Sequence, residues 1–432
     1  MRIVISALSF LLLAAHFLRA GETGLLLLSL SSPLLLAVRR KWAVNGALAL
    51  LAYATVVWIE AGITVARSRI DSNLPWTRPA IILAAVAAGT LVSALALIPL
   101  KKTDRYTAVI QQEWPSTAAF FLTAAIVSTA RIKAPVPVLL FDRLIPGSGW
   151  VEILLLSSYA AWLTEIMIRA RTTALIRARI WAAFSLVFFI QLLLGLAGAG
   201  IFFMTGKLHL PVPALIIAGP LYRGGGFFMP ILFVSALLLI GPAWCSYLCY
   251  FGAWDNSACR VKNAPDRPEP WMKRSRIAIL VFITITAIAM RHYNVPPPAA
   301  AVSVAAFGLI GVGVMIMISR KRGIMAHCTA WCPAGLAADI LGKISPFRIT
   351  ISDACTECGA CRSACRYGAL EPGDIRKKRP GLTCSLCGDC LPSCGKRAIT
   401  YRFLALDPET ARAFFISIVI SLHAAFLGIA RM

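Results

Sequence analysis

Eight cysteines near the end of the chain are the residues whose spacing points most clearly to chemistry. They form two sets with the same spacing, C-x2-C-x2-C-x3-C. This doubled pattern is typical of ferredoxins with two [4Fe–4S] clusters, in which the fourth cysteine of each set ligates the other cluster. We therefore expect one cluster on Cys355, Cys358, Cys361 and Cys394, and a second on Cys384, Cys387, Cys390 and Cys365.

Two other metal chemistries compete with this interpretation. Structural zinc also uses four cysteines per ion, but rarely in a doubled set of identical spacing, so iron–sulfur is favoured. A covalent c-type haem is excluded, because no C-x-x-C-H occurs. We expect each fourth cysteine to begin a short helix. Arg366 and Gly395 stand where a proline is usual, a departure expected to alter potential or exposure rather than ligation.

A second group of four cysteines forms two pairs, Cys245 with Cys249 and Cys328 with Cys332. Residues four apart share one face of a helix, so each pair could present two thiols together. A glycine follows each pair by three residues, which indicates a parallel internal repeat whose four thiols converge beside the cluster module. A metal or iron–sulfur centre, a redox-active dithiol and plain structural thiols remain open. His327 could tune or ligate such a centre, and Cys259 is unassigned.

The rest of the chain must hold these groups in a membrane. Of 432 residues, 59% are hydrophobic and 14% are charged, which excludes a soluble, disordered or small secreted disulfide-rich protein. Leu18-Arg19-Ala20 is a poor cleavage site, so the first apolar run reads as an uncleaved helix. We predict eleven spanning helices, within 3–19, 24–38, 43–66, 79–100, 115–130, 150–168, 180–206, 224–254, 277–290, 294–319 and 413–430.

Basic clusters predict the orientation of these spans, because cytoplasmic loops carry an excess of lysine and arginine. With eleven spans, five clusters face the cytoplasm, the N-terminus lies inside and the C-terminus outside. These clusters are Arg39-Arg40-Lys41, Lys101-Lys102, Arg169 to Arg179, Arg260 to Arg276, and Arg320-Lys321-Arg322. We therefore expect a multi-pass protein of the bacterial cytoplasmic (inner) membrane, in contact with lipid, with the cysteine-rich module on the cytoplasmic side.

The fold class is thus an all-α polytopic membrane protein with an inserted bacterial-type two-cluster ferredoxin (α+β) module. We predict four parts: a transmembrane domain of unassigned role (1–170), a core with two C-x3-C motifs (171–342), the module (343–405) and a last helix (406–432). The basic run Arg376-Lys377-Lys378-Arg379 lies between the two halves of the module. It indicates a docking patch for an acidic redox protein, or a face toward anionic lipid.

Three segments together carry a family resemblance. Gly241 to Tyr250 (GPAWCSYLCY), His327 to Pro333 (HCTAWCP) and the double cysteine motif resemble the membrane-bound polyferredoxins, that is, the NapH-, NosR- and CcoG-like proteins, over about 175–402. Two departures stand out. Tyr250 replaces the proline expected after Cys249, which predicts a different bend in the first copy of the repeat. No separate flavin-binding domain of the NosR-like kind is visible.

The resemblance implies electron transfer between a cytoplasmic donor or the quinone pool and a partner reductase. The chain would then be an electron-transfer subunit of an oxidoreductase system, with an acidic ferredoxin, a flavodoxin or a quinone among its candidate partners and no nucleic acid. A copper-reducing assembly factor of the CcoG type and a membrane redox sensor are the alternatives. His16 and His423 lie in apolar helices, but no facing histidine pair for a haem is evident.

Overall fold

The computed structural model of the protein describes residues 2–37, 41–101, 105–170, 173–203 and 210–429. Arg39, Arg40, Lys102 and Arg171 of the predicted cytoplasmic clusters lie outside these residues. Contacts divide the chain into two units, Met1–Phe120 and Phe121–Met432. The bounds of the four predicted parts stay predictions. The helix over Gly149–Arg169 packs against the last helix of the second unit.

The first unit is a set of apolar helices. It contains α1 (Arg2–Ala20), α2 (Thr23–Ser31), a 3-10 turn (Ser32–Ala37), α3 (Lys41–Asp71), α4 (Thr77–Lys101) and the start of α5 (Arg105–Lys133). α3 packs along α4, and α1 contacts both. The Ser9 and Ser93 hydroxyls lie 2.9 Å apart between α1 and α4. The unit holds none of the cysteines and buries mainly small and aliphatic side chains.

The second unit contains most of the helices, the cysteine-rich segment and a two-stranded sheet. Its helices are α6 (Leu140–Leu144), α7 (Gly149–Arg169), α8 (Thr173–Leu196), α9 (Leu215–Arg223), α10 (Phe228–Ile240), α11 (Tyr250–Cys259), α12 (Pro270–His292), α13 (Pro297–Val314), α14 (Arg320–Arg322), α15 (Pro333–Leu341), α16 (Ala360–Ala364), α17 (Pro372–Arg376) and α18 (Pro408–Ile429). Its strands are β1 (Phe347–Ile351) and β2 (Ile399–Phe403).

Ten helices among the described residues are long and apolar enough to cross a membrane. They are Ile3–Ala20, Ala43–Asp71, Thr77–Ile98, Glu113–Lys133, Gly149–Arg169, Thr173–Leu196, Phe228–Leu248, Pro270–His292, Pro297–Arg322 and Pro408–Ile429. The one predicted span that is not among them, 24–38, is instead a short α-helix followed by a 3-10 turn. A crossing needs about 20 residues, so this segment is too short. The chain is therefore a multi-pass helical membrane protein with ten candidate spans.

Both cysteine pairs lie on the same unusual backbone. Cys245 belongs to a π-helical turn (Trp244–Leu248), and Cys328 belongs to another (His327–Trp331). Cys249 and Cys332 follow these turns in extended conformation and cap the N-termini of α11 and α15. The two copies thus share one turn-and-cap structure. The expectation that each pair lies on one face of a regular helix is wrong, since the second cysteine stands outside the helix.

The tyrosine that replaces proline in the first copy does not change its bend. Cys249 has φ −79° and ψ 110°, and Cys332 has φ −76° and ψ 117°. Tyr250 and Pro333 both occupy the first position of a helix, where the backbone N–H has no partner within the helix. Proline is therefore favourable there but not required, and the predicted difference in bend is wrong.

The glycine after each pair allows the first turn of the helix to approach the π turn. A Cβ atom on Gly335 would lie 2.7 Å from the Cys328 carbonyl oxygen, and one on Gly252 would lie 2.8 Å from that of Cys245. Both distances are shorter than van der Waals contact with backbone atoms that cannot rotate away. A larger residue at either position would clash with the π turn, which explains why glycine occurs in both copies of the repeat.

The two strands join the cysteine-rich segment to the last helix. β1 and β2 are antiparallel, with Phe347 opposite Phe403 and Ile351 opposite Ile399. Phe415 of α18 lies against this sheet, with ring centroids 5.3 Å from Phe347 and 4.7 Å from Tyr401. The aromatic contacts anchor the segment to the membrane core.

We expect Gly335→Ala to destabilise the protein by about 1–3 kcal/mol, the usual cost of forcing an extra methyl group into a packed site. Gly373→Ala is the matched control, because Gly373 also lies in a helix but nothing stands within 4 Å of its Cβ position. Thermal unfolding of both variants in detergent tests this. Equal melting temperatures would show that the close approach does not constrain the turn.

Candidate functional site

The eight cysteines of the doubled motif line two separate cavities. The first has a volume of about 380 Å³ and is lined by Cys355, Cys358, Cys361 and Cys394. The second is much smaller and is lined by Cys365, Cys384, Cys387 and Cys390. Each cavity thus collects three cysteines of one motif and the fourth of the other. The structure brings together the crossed sets expected from the spacing, whereas ligation of iron stays a prediction.

The two motifs have the same local conformation. Glu357 and Leu386 have φ 54°, and Gly359 and Gly388 have φ 75° and 76°. The left-handed backbone conformation at these positions lets the chain turn tightly around a central space. Tyr401 holds the second loop by donating a hydrogen bond of 2.7 Å to the Leu386 carbonyl. Both loops therefore turn around a central cavity.

The fourth cysteine of each motif is held by a backbone donor. The N–H groups of Ala369 and Ala398 donate to the sulfurs of Cys365 and Cys394, each at 3.3 Å. Cys365 ends α16 rather than beginning a helix, and no helix follows Cys394 within the segment. The expected helix after each fourth cysteine is therefore wrong. The N–H groups take its place in stabilising the thiolate form.

The sulfurs of these sets are spaced more widely than one zinc ion requires. Zinc bonds sulfur at about 2.3 Å, which brings its ligands within about 4 Å of one another. Within the described ranges, one group of three potential ligands is that compact. In this group, formed by Asp255, His327 and Cys328, the donor atoms all lie within 4.8 Å of one another. The sets around the two cavities are not so close. Within the described ranges, neither set is therefore as compact as a single zinc ion requires.

Burial disfavours the charged form of these thiols. Desolvation, with a smaller contribution from the neighbouring Cys387, raises the pKa of Cys365 to about 12. Burial also raises the pKa of Cys361, which lies beside Cys355 and Cys394 in the first cavity. A bound metal centre would supply the positive charge that makes the thiolates favourable.

The two membrane-edge pairs lie near each other. Burial, with a smaller contribution from the nearby Cys332, raises the pKa of Cys249 to about 12. Burial raises the pKa of Cys332 to about 11, although the N–H groups of Gly335 and Ala334 counteract part of this effect. The two caps thus lie close enough for one thiol to affect the other, and burial disfavours the charged form of both, while convergence of all four thiols stays a prediction.

A buried ion pair joins the second cavity to the core. Arg177 on α8 donates from Nε to Asp389 Oδ1 at 3.0 Å and from Nη2 to Oδ2 at 2.6 Å. Its Nη1 also donates to the Ser246 carbonyl of the first π turn at 3.0 Å. Asp389 lies between Cys387 and Cys390 in sequence, and Arg260 binds its Oδ2 at 2.7 Å. One carboxylate therefore fixes the second cavity above the first π turn.

Two tyrosines connect the second cavity with the membrane cysteines. Tyr247 donates to the Cys387 carbonyl, and Tyr367 donates to the Cys245 carbonyl, both at 3.4 Å. Tyr367 also packs in a buried cluster with Trp181 and Cys328. Sequence reasoning missed these contacts, since a tyrosine two residues after a cysteine is no signal by itself.

Arg366, which stands after Cys365 where a proline is usual, has a structural role. Its guanidinium donates to four carbonyl oxygens of the core, those of Cys259, Lys262, Asn263 and Gly323. The Met325 N–H in turn donates to the Arg366 carbonyl at 2.9 Å. The substitution therefore docks the segment onto the loops that flank the two cysteine pairs.

The two histidines that the sequence places in apolar helices have structural neighbours. His423 bridges the Tyr247 carbonyl (3.2 Å) and the Tyr159 hydroxyl (3.3 Å). His16 lies against the Trp58 ring. These contacts favour structural roles over haem ligation.

Comparison of the chain with protein-family models, curated proteins and solved structures gives no match.

We expect Asp389→Asn to destabilise the docked segment by about 3–5 kcal/mol, because it leaves the buried Arg177 guanidinium without its counter-charge. Asp266→Asn is the matched control, since Asp266 forms an exposed ion pair with Lys262 whose loss costs about 0–1 kcal/mol. Thermal unfolding and limited proteolysis across 343–405 measure the difference. Equal protease resistance in the two variants would contradict the role assigned to Asp389.

Proposed function

We propose that this chain is a membrane-bound iron–sulfur electron-transfer protein. In this proposal the crossed cysteine sets hold two [4Fe–4S] clusters, and the segment 343–405 is a ferredoxin module on the cytoplasmic side of a bacterial inner membrane. When bound, such clusters supply one-electron chemistry. The chain carries electrons between a cytoplasmic donor or the quinone pool and a partner reductase.

The observation that carries the proposal is the crossed arrangement of the eight cysteines. Structural zinc requires neither the crossing nor the wide spacing, whereas a two-cluster ferredoxin requires both. The residue types and the loops that present them therefore agree on one chemistry. The doubled left-handed turns at 357–359 and 386–388 support the same conclusion.

The order of the three cysteine groups supports a conduit. Cys358 is exposed at the first cavity, and the second cavity is buried against the core. Tyr367 and Tyr247 then lie between the second cavity and the membrane-edge pairs. The protein's contribution is position and electrostatics, while the cofactors would supply the redox chemistry.

The basic run between the halves of the module suits an acidic donor. Arg376, Lys377 and Arg379 are exposed, and Lys378 contacts Asp353. Lys396 adds a further exposed charge at the rim of the first cavity. A positive surface beside the exposed cavity would attract an acidic ferredoxin or flavodoxin and orient it for transfer.

Cluster ligation is tested with cysteine variants of the anaerobically purified protein. We expect about eight irons per chain in the wild type, as two [4Fe–4S] clusters require. Cys394→Ser should abolish the same EPR signal as Cys355→Ser, and Cys365→Ser the same signal as Cys384→Ser. Cys259→Ser is the control, because this buried cysteine lies outside both cavities. A protein without iron, or an uncrossed pairing of signals, would overturn the assignment.

The docking surface is tested by charge reversal. Arg376→Glu with Lys377→Glu should slow reduction by a reduced flavodoxin by about tenfold or more at low salt, because electrostatic steering is lost. The effect should shrink at high salt, where surface charges are screened. Lys133→Glu, an exposed change at the far end of α5, is the control. A reduction rate that changes neither with the charge reversal nor with salt concentration would contradict the proposed docking surface.

A further inference from the structure

Asp255, His327 and Cys328 form a compact buried group outside both cluster cavities. Their ligand atoms all lie within 4.8 Å of one another. Asp255 comes from α11, and His327 and Cys328 are neighbours in the second π turn. The relative exposures of the three residues are 0%, 4% and 8%. A thiol, an imidazole and a carboxylate thus converge where water is largely excluded.

The carboxylate of Asp255 has no compensating positive charge. None of the ion pairs within the described ranges includes it. Its Oδ2 accepts the Cys328 N–H at 3.0 Å, and the Ser319 hydroxyl is a second neighbour. These neutral donors position the carboxylate but do not neutralise it, and a buried unpaired carboxylate is unfavourable.

One ring nitrogen of His327 also lacks a partner. Its Nδ1 is fully buried, and no hydrogen-bond partner is found for it in the part of the chain that the structure describes. Buried polar nitrogens are nearly always satisfied, so an unpartnered one requires an explanation. A neutral imidazole beside a thiol and a carboxylate is a ready metal ligand.

The other copy of the repeat shows what a purely structural arrangement looks like. There Asp339 on α15 pairs with Arg276 at 2.6 Å, and both side chains are buried. Trp244 stands at the start of the first π turn, in the place of His327. The first copy of the turn therefore supplies no histidine, and its neighbouring carboxylate already has a cation. The unpaired acid and the histidine occur together only at the second turn.

We propose that Asp255, His327 and Cys328 bind one borderline divalent transition-metal ion of the zinc class. A thiolate and a carboxylate would together balance a divalent charge, which suits a buried site. Sulfur, imidazole and carboxylate ligands are the set that zinc prefers, and three protein ligands leave one coordination position open. The proposal does not depend on cluster ligation, since the site shares no residue with the two cluster cavities. Its Cys328 does belong to one of the membrane-edge pairs.

The test measures zinc and iron per chain in full-length protein purified anaerobically and washed with a weak chelator. We expect about one zinc in the wild type and at least a tenfold loss of zinc in His327→Ala and Asp255→Asn. Cobalt(II) taken up in place of zinc should give a thiolate-to-cobalt absorption band that both variants lack. Asp255→Asn retains an oxygen that can accept the Cys328 N–H, so it separates metal binding from support of the turn.

Two controls keep the outcome decisive. Cys259→Ser and Cys249→Ser should keep the zinc and the cobalt band, because both cysteines lie outside the group. Wild-type protein without zinc, or unchanged zinc in His327→Ala, would overturn the proposal. Equal loss in Cys249→Ser would also overturn it, in favour of a centre on four thiolates. Iron content reports separately on the cluster proposal, so the two can fail independently.

Discussion

The arrangement of the cysteine-rich segment on the core depends on the buried pair between Arg177 and Asp389. The guanidinium is 1% exposed and the carboxylate 7%, and two hydrogen bonds of 3.0 and 2.6 Å join them. Two buried charges are tolerated only when they satisfy each other, and removing either leaves the other uncompensated. Because Asp389 lies within the second motif and Arg177 also binds the first π turn, this pair sets the distance between the second cavity and the membrane-edge cysteines.

The internal repeat supplies the other constraint. Each π turn ends in a cysteine that caps a helix, and a glycine in that helix allows close approach to the turn. The two copies are alike in backbone but differ in chemistry. In one, Asp339 pairs with Arg276, whereas in the other Asp255 faces His327 and Cys328 without a cation. Repetition of the backbone thus created two similar sites, of which only the second collects the donors for a metal ion.

The electrostatics of the second unit follow from burial. The pKa values of Cys365, Cys332 and Asp255 are all raised, chiefly because desolvation opposes charge. In such surroundings thiolates become favourable when cations bind, so the proposed metal binding would also stabilise the fold. In the proposed electron transfer, the exposed Cys358 would let a partner protein approach the first cavity closely. The basic surface beside that cavity would steer an acidic partner toward it.

The sequence alone determined the apolar spans, the doubled cysteine spacing and the repeat, because hydrophobicity, spacing and similarity are local patterns. It also indicated which cysteines share a cavity, since the crossing follows from that spacing. It overcounted the spans at 24–38, and it placed a helix after each fourth cysteine where the structure has turns. Only the tertiary structure decided that Asp389 meets Arg177, that Arg366 docks the segment, and that Asp255 faces His327. These contacts join residues far apart in the chain, and nothing in a single sequence specifies which buried charges will meet.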